Sequence, residues 1–226
     1  MNALDSAATA DPARPLLEIV SDVICPWCYI GKHRLARAFA LANGAFDQIA
    51  VRWRPYELNP TLPRAGMDRR AYCVAKFGSL EYANELYARV AANAHTDGLP
   101  FDHERIARTP NTRTAHRLIE LAGAHGCQNA VVDALFAAYF VDGRDIGELQ
   151  VLLAIGTGAG LDREPLETAL LAASGDLPII AAEHAAHELG IDGVPAFVYH
   201  GRLLFVGAQS PQTIAAALTR ALAKGR

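Results

Sequence analysis

Residues 21–35 read SDVICPWCYIGKHRL, and two of the chain's four cysteines fall inside this stretch, at Cys25 and Cys28, with only Pro26 and Trp27 between them. On the N-terminal side lies LLEIV (16–20), a short apolar run with β-branched residues that reads as a strand buried on both faces. On the C-terminal side Ile30, Leu35, Ala38, Phe39 and Ala42 recur at spacings of three and four, with one step of five, until Asn43-Gly44 supplies a stop. The pair therefore sits where a strand hands over to a helix. Proline is favoured at the first helical position because its missing N–H would be unpaired there, so Pro26 places Cys25 at the N-cap and Cys28 one turn inside. Residues three apart share a helix face, which brings the two sulfurs within disulfide reach.

The outer sulfur then meets the free backbone N–H groups and the positive end of the helix dipole, which favour thiolate over thiol at Cys25. A second thiol beneath it is placed to resolve a mixed disulfide by intramolecular attack. Redox exchange asks for a helix start, two cysteines at this spacing and one exposed sulfur, and Cys25 is expected to be that exposed atom. Two blander readings compete. The cysteines are also compatible with buried apolar residues, and zinc would need four ligands, yet no second C-x-x-C and no C-x-x-H occurs. His184 and His187 share a helix face and are better accounted for as solvated. Trp27 is expected to be partly exposed, shielding the sulfur and contacting substrate.

Composition narrows the class. The chain has 226 residues, 51% of them hydrophobic and 20% charged, with a formal net charge of −3. That is ample for a core without disulfide staples, and longer than one typical domain. Interspersed charges give no field to attract phosphate backbones, so nucleic acid is not expected as a partner. The first residues, MNALDSAATADPARP, lack a basic leader and an apolar h-region, and no run is apolar enough to span a membrane. A cytoplasmic setting is the resulting expectation, where a C-x-x-C pair is catalytic or metal-binding more often than structural.

Beyond the first helix, IAVRWRPYEL (49–58) alternates Ile49, Val51 and Trp53 against Ala50, Arg52 and Arg54, giving a second strand and a β-α-β opening with a right-handed crossover. Residues 68–174 carry almost nothing but helical patterns, punctuated by glycines and prolines. After a further helix at 177–189, PAFVYH and RLLFV read as a hairpin with His200-Gly201 in the turn, and a last helix starts after Ser210-Pro211. The expected organisation is α/β: a disordered tail over 1–14, one domain assembled from 15–60 and 176–226, and an all-helical insertion over 61–175.

These motifs together resemble a known family. CPWC opening the first helix, with GVPAFV (193–198) before the hairpin, resembles the thioredoxin fold, and the helical insertion resembles its DsbA branch. SDVICPWCYIGKHRL, WRPYELNP (53–60), NTRTAHRL (111–118), FAAYFVDGRDI (136–146) and GVPAFVYHGRLLFVGAQ (193–209) are similar to the FrnE-type proteins of that branch, which are related to 2-hydroxychromene-2-carboxylate isomerases. The resemblance implies a protein dithiol–disulfide oxidoreductase with Cys25 as nucleophile and Cys28 as resolving thiol. It also implies a cis Val194-Pro195 peptide that offers the N–H and C=O of Val194 to an extended substrate. The isomerase relatives carry serine in place of the first cysteine and use glutathione. Having both cysteines favours redox work on protein or small-molecule thiols and disulfides, with no required cofactor and with glutathione admitted as a redox partner. A glutathione-dependent isomerase or transferase, and a client-binding chaperone using the same groove, are the rival readings.

Arg54, Asn59 and the NTRTAHRL segment that starts at Asn111 are candidates to line a cleft beneath the insertion, each with a plainer alternative as a surface charge, turn residue or cap; Asn111 after Pro110 makes a good N-cap. Cys73 and Cys127 read as buried small residues. GTGAG (156–160) follows a helical run and lacks the Lys-Ser/Thr of a phosphate loop, so it reads as a helix ending in a turn. Lys32 and His33 are expected on an exposed helix face, near enough to tune the thiolate. The alanine-rich insertion leaves room for a homodimer contact.

Overall fold

A computed structural model describes residues 14–224. The chain opens with β1 (Leu16–Ser21), α1 (Pro26–Leu41) and β2 (Ala50–Pro55). β1 and β2 run parallel, with Leu17 opposite Val51 and Ile19 opposite Trp53. The crossover helix α1 ends where Asn43 (φ 45°) and Gly44 (φ 88°) turn left-handed, which only small or turn-prone residues adopt without strain. There follow β3 (Met67–Asp68), α2 (Arg69–Phe77), α3 (Leu80–Thr96), β4 (Arg108–Thr109), α4 (Arg113–Ala124), α5 (Gln128–Phe140), α6 (Leu149–Gly158) and α7 (Arg163–Leu171). The chain then returns to the sheet through α8 (Asp176–Glu188), β5 (Ala196–Tyr199), β6 (Arg202–Val206) and α9 (Pro211–Lys224). Capping residues fix several starts. Asp68 accepts from Ala71 N at 2.9 Å, Ser79 from Tyr82 N at 3.1 Å and Ser210 from Thr213 N at 3.1 Å.

The sheet order is β2-β1-β5-β6, with β5 antiparallel to both its neighbours. His200 (φ 47°) and Gly201 (φ 72°) form the β5–β6 turn, and two successive left-handed residues are what a tight hairpin matched to strand twist requires. Alternation along the central strands sends side chains into two clusters. Leu17, Ile19, Phe197 and Tyr199 join the main core, whereas Val20, Ala196 and Val198 pack with Ala186 and Ile191 in a second cluster beneath α8. Both faces are covered, so β5 reads as a continuous hydrophobic run, and in β1 the run is interrupted only by Glu18, which pairs with Arg54, before Ser21 ends the strand. The β2 edge is finished by a side chain: Gln128 Oε1 accepts from Trp53 N at 2.8 Å, and Gln128 Nε2 donates to Trp53 O at 3.2 Å and to Ile119 O at 3.2 Å.

This is the expected α/β architecture with a helical insertion between its halves. The insertion also holds a ribbon, β3 paired antiparallel to β4 through Met67–Thr109 and Asp68–Arg108, that the helical reading of the segment omits. Two residues per strand are too few to show a period. α4 begins one residue later than a cap at Asn111 implies, with Thr112 at the N-cap position making no side-chain cap bond; the capping bond comes from Asn111, whose Oδ1 accepts from Arg113 N at 3.1 Å while its Nδ2 donates to Leu62 O at 3.0 Å. Lys32 is not on a solvated face: it is 4% exposed, 2.5 Å from Asp133 and over the Trp53 ring. The tail expected over 1–14 lies outside the described residues except for Arg14, whose guanidinium donates to the carbonyls of Asp47 and Gln48. Among the described residues no helix is long and apolar enough to cross a membrane.

Candidate active site

Cys25 is the N-cap of α1 (φ −85°, ψ 114°), with Pro26 next, and neither a capping side chain nor an acidic residue occupies the first turn. The positive end of the helix is thus left to the Cys25 sulfur. Its backbone is held by the bond from Cys25 N to Asp22 O at 3.0 Å, and Cys25 O accepts from Cys28 N at 3.0 Å. Both cysteines are reduced.

Contrary to the expectation of an exposed sulfur, Cys25 is 4% accessible, while Cys28 is fully buried and Trp27 is 38% exposed. Two elements cover Cys25. One is the loop before β5, where the Val194-Pro195 peptide is cis and Val194 O lies 3.7 Å from Cys25 Sγ. Pro195 rests against α1 at Gly31, where an added Cβ would come within 3.0 Å of Pro195 Cγ. The other is the insertion, whose α3 packs on α1 and whose Tyr72, Cys73 and Tyr87 share the main core with Cys25; burial pushes the Tyr87 phenol up and Arg69 draws it back.

Burial also raises Cys28 well above an ordinary thiol; the adjacent Cys25 sulfur adds to this, and the Ser21 hydroxyl and Asp22 backbone amide pull back. The inner sulfur is therefore kept protonated beside an outer sulfur at a helix start. Beneath them the Asp22 carboxylate, fully buried, accepts from Leu58 N at 2.8 Å and lies 3.4 Å from His116 Nε2, which also meets Tyr56 O at 3.1 Å. Glu57, equally buried in its side chain, is gripped through Oε2 by Arg113 at 2.6 and 2.8 Å, and burial lifts its carboxyl above the usual range.

The other sequence candidates divide. Arg54 is engaged with Glu18 at 2.9 Å across β1 and β2. Asn59 accepts from Tyr72 Oη at 3.3 Å and Lys76 Nζ at 3.1 Å, tying the loop after β2 to α2, and its amide nitrogen is buried without an acceptor. Asn111 serves the start of α4. His33 Nε2 meets Asp97 O at 3.1 Å, and His187 packs on Tyr56. Cys73 is buried on α2, and Cys127 donates weakly to Ala122 O at 3.7 Å, its thiol raised by burial. GTGAG closes α6, with Gly160 at φ 96°. His116 falls within the NTRTAHRL segment expected at the cleft, though not named by itself, and Asp22, Gly31 and Tyr87 were not singled out from sequence. Asp22 and Gly31 fall within the deciding stretch, and nothing local marks Tyr87.

Comparison with known proteins gives a consistent result. The profile of the DSBA-like thioredoxin domain matches residues 16–219. The protein named uncharacterized protein YwbO of Bacillus subtilis (strain 168) is 26% identical over 183 residues, 80% of this chain and 85% of its own. The crystal structure of probable DsbA oxidoreductase SCO1869 from Streptomyces coelicolor superposes with a TM-score of 0.83 at 33% identity, covering 92% of this chain and 90% of that one. The cytosolic disulfide reductase DsbM from Pseudomonas aeruginosa, solved with GSH, gives a TM-score of 0.65 at 21% identity over 92% and 98% of the two chains.

Proposed function

Because the chain belongs to the DSBA-like thioredoxin domain family, we propose that it catalyses thiol–disulfide exchange with Cys25 as the attacking group and Cys28 as the resolving thiol. The observation that carries this reading is the pairing of an uncapped helix start at Cys25 with a second, fully buried thiol one turn further on. The Cys25 thiolate attacks one sulfur of a disulfide, forming a mixed disulfide and expelling one thiolate. Cys28 then loses its proton and attacks Cys25 Sγ, expelling the second thiolate and leaving a Cys25–Cys28 disulfide. In this reading the exposed ring of Trp27 contacts the substrate, and the Val194 backbone pairs with an extended segment of it, a role supported by Val194 O lying 3.7 Å from Cys25 Sγ. Glutathione serves as a redox partner in this scheme, not as a resident cofactor.

Alkylation and mass analysis during turnover test the assignment. Cys25→Ser should abolish exchange, and Cys28→Ser should halt with substrate bound covalently at residue 25. Undiminished turnover by Cys28→Ser would instead favour glutathione addition chemistry, in which the inner sulfur has no part.

A further inference from the structure

The loop that covers Cys25 is held by a chain of hydrogen bonds reaching back to the insertion. Pro195 follows Val194, whose carbonyl lies 3.7 Å from Cys25 Sγ, and the Pro195 carbonyl accepts from Gly207 N at 2.7 Å. Gly207 (φ 85°) opens the turn after β6, and the next residue, Ala208, offers its carbonyl to Arg34 Nη1 at 2.6 Å. Arg34 Nε donates in turn to Asp97 Oδ2 at 2.6 Å, and Asp97 is the C-cap of α3. The helix of the two cysteines, the loop over them, the turn after β6 and the end of α3 thus converge on one side chain. Arg34 lies one turn beyond Gly31, on the face of α1 against which Pro195 and Ala208 rest; a Cβ added at Gly31 would stand 3.8 Å from that of Ala208.

The charges at this junction run against local preference. A carboxylate at a helix C-terminus meets the negative end of the dipole and is ordinarily disfavoured there. Asp97 occupies that position with its side chain only 10% exposed, answered by Arg34, itself 15% exposed, and by Arg37 Nη1 at 3.2 Å. Its carbonyl meets His33 Nε2 at 3.1 Å. A withdrawn ion pair is a weak source of stability, because taking both charges out of water offsets much of their attraction. What it fixes is direction. The guanidinium is a rigid fork, so with Nε locked on Asp97 the Nη1 donor is aimed at the Ala208 carbonyl. A lysine ammonium would keep the charge and lose that angle.

We propose that Arg34 is a positioning residue for substrate: anchored on Asp97, it sets the turn after β6, and through it the Val194-Pro195 loop, at the place where an extended chain pairs with Val194 while its sulfur is joined to Cys25. This deepens the exchange reading and rests on it. Arg34 acts through Ala208, Gly207 and Pro195, not on either sulfur. A disulfide too short to reach Val194 gains nothing from the placement of the loop, so Arg34 favours extended peptide disulfides over small ones.

The test follows oxidation of the reduced, full-length protein by the disulfide-linked dimer of a linear peptide with one cysteine in mid-chain, and by bis(2-hydroxyethyl) disulfide, read by alkylation and mass analysis. Both oxidants leave the same Cys25–Cys28 disulfide, so a loss of fold or of sulfur reactivity lowers the two rate constants together. Arg34→Met should lower the ratio of peptide to small disulfide by about tenfold, as expected when a bound chain is misplaced by a fraction of an ångström. Arg34→Lys should recover only part of it. A ratio unmoved by Arg34→Met overturns the proposal, and so does full recovery by Arg34→Lys, which would make charge alone sufficient. Should Arg34→Met fail to fold, Asp97→Asn decides: it keeps an acceptor of the same shape without the charge and should lower the ratio by about threefold, whereas an unchanged ratio overturns the idea. If Cys25→Ser reacts with both disulfides as fast as wild type, the exchange reading itself fails; if Cys25 is required and the ratio is flat, only the role of Arg34 fails.

Discussion

Gly31 on α1 faces Pro195 so closely that a methyl group at Gly31 would sit 3.0 Å from Pro195 Cγ. The helix carrying both cysteines and the loop carrying Val194 therefore meet through a missing side chain. Replacing an open helical glycine by alanine gains roughly 0.5–1 kcal/mol. Here the added carbon must push the loop away from Cys25. Gly31→Ala should leave the melting temperature near that of wild type and slow exchange by about fivefold, as expected when reacting groups are displaced by tenths of an ångström. A variant that melts higher and exchanges at full rate would show that the loop yields without consequence.

Cys28 supplies a pH signature. Its thiol is raised first by burial, which persists when Cys25 is tied up in a mixed disulfide and bears no charge, so the thiolate needed for the second step is scarce at neutral pH. The release of a mixed disulfide at Cys25 should accelerate by close to about tenfold per pH unit through neutrality and continue rising past the ordinary thiol value near ~8.5. The sign extends to stability. A raised folded value means the native dithiol holds its proton longer than the unfolded chain, so the reduced protein loses stability as pH climbs above the ordinary thiol range. Single-turnover kinetics on a preformed Cys25–glutathione adduct, with urea unfolding alongside, measure both; a plateau below neutrality contradicts the assignment.

Arg113 and Glu57 form a pair in which one partner cannot reach water. Removing the cation in Arg113→Leu leaves a buried carboxylate alone and should cost about 3–5 kcal/mol. Burial already holds the Glu57 carboxyl above its usual range, so this loss is fullest at neutral pH and shrinks as acidification protonates the group. Adding Glu57→Gln to the leucine variant should recover much of the loss. Chemical unfolding of the four proteins in the cycle checks it, and strict additivity would mean the pair is not coupled.

Asp22 holds the loop between β1 and α1 to the chain after β2 through Leu58 N. Asp22→Ala leaves that amide without an acceptor in a closed environment and should destabilise by about 1.5–3 kcal/mol, the range for a hydrogen bond to a charged group. Hydrogen exchange at Leu58 should quicken in step. Wild-type protection at that amide would mean another acceptor has replaced the carboxylate.

Much of this architecture is legible from periodicity and from proline and glycine. Pro26 fixes where α1 begins, Asn43-Gly44 where it ends, and His200-Gly201 the hairpin turn, because each acts within a few residues. What sequence could not yield depends on distant elements meeting. The chemistry at a helix start tells nothing of what folds over it, so Cys25 is enclosed by a loop and an insertion instead of facing solvent. Lys32 looked like a surface residue because its own helix gives it a polar neighbourhood; Asp133 and Trp53 arrive from α5 and β2.

Gln128 belongs to the insertion, yet its amide completes the outer margin of the sheet at Trp53. The helical segment is thus no detachable ornament. A minimised core lacking it would bare one row of peptide groups along β2, an adhesive seam able to zip onto the same seam of another copy. In the intact chain the Gln128 amide already occupies the Trp53 N–H and C=O that such a seam would use.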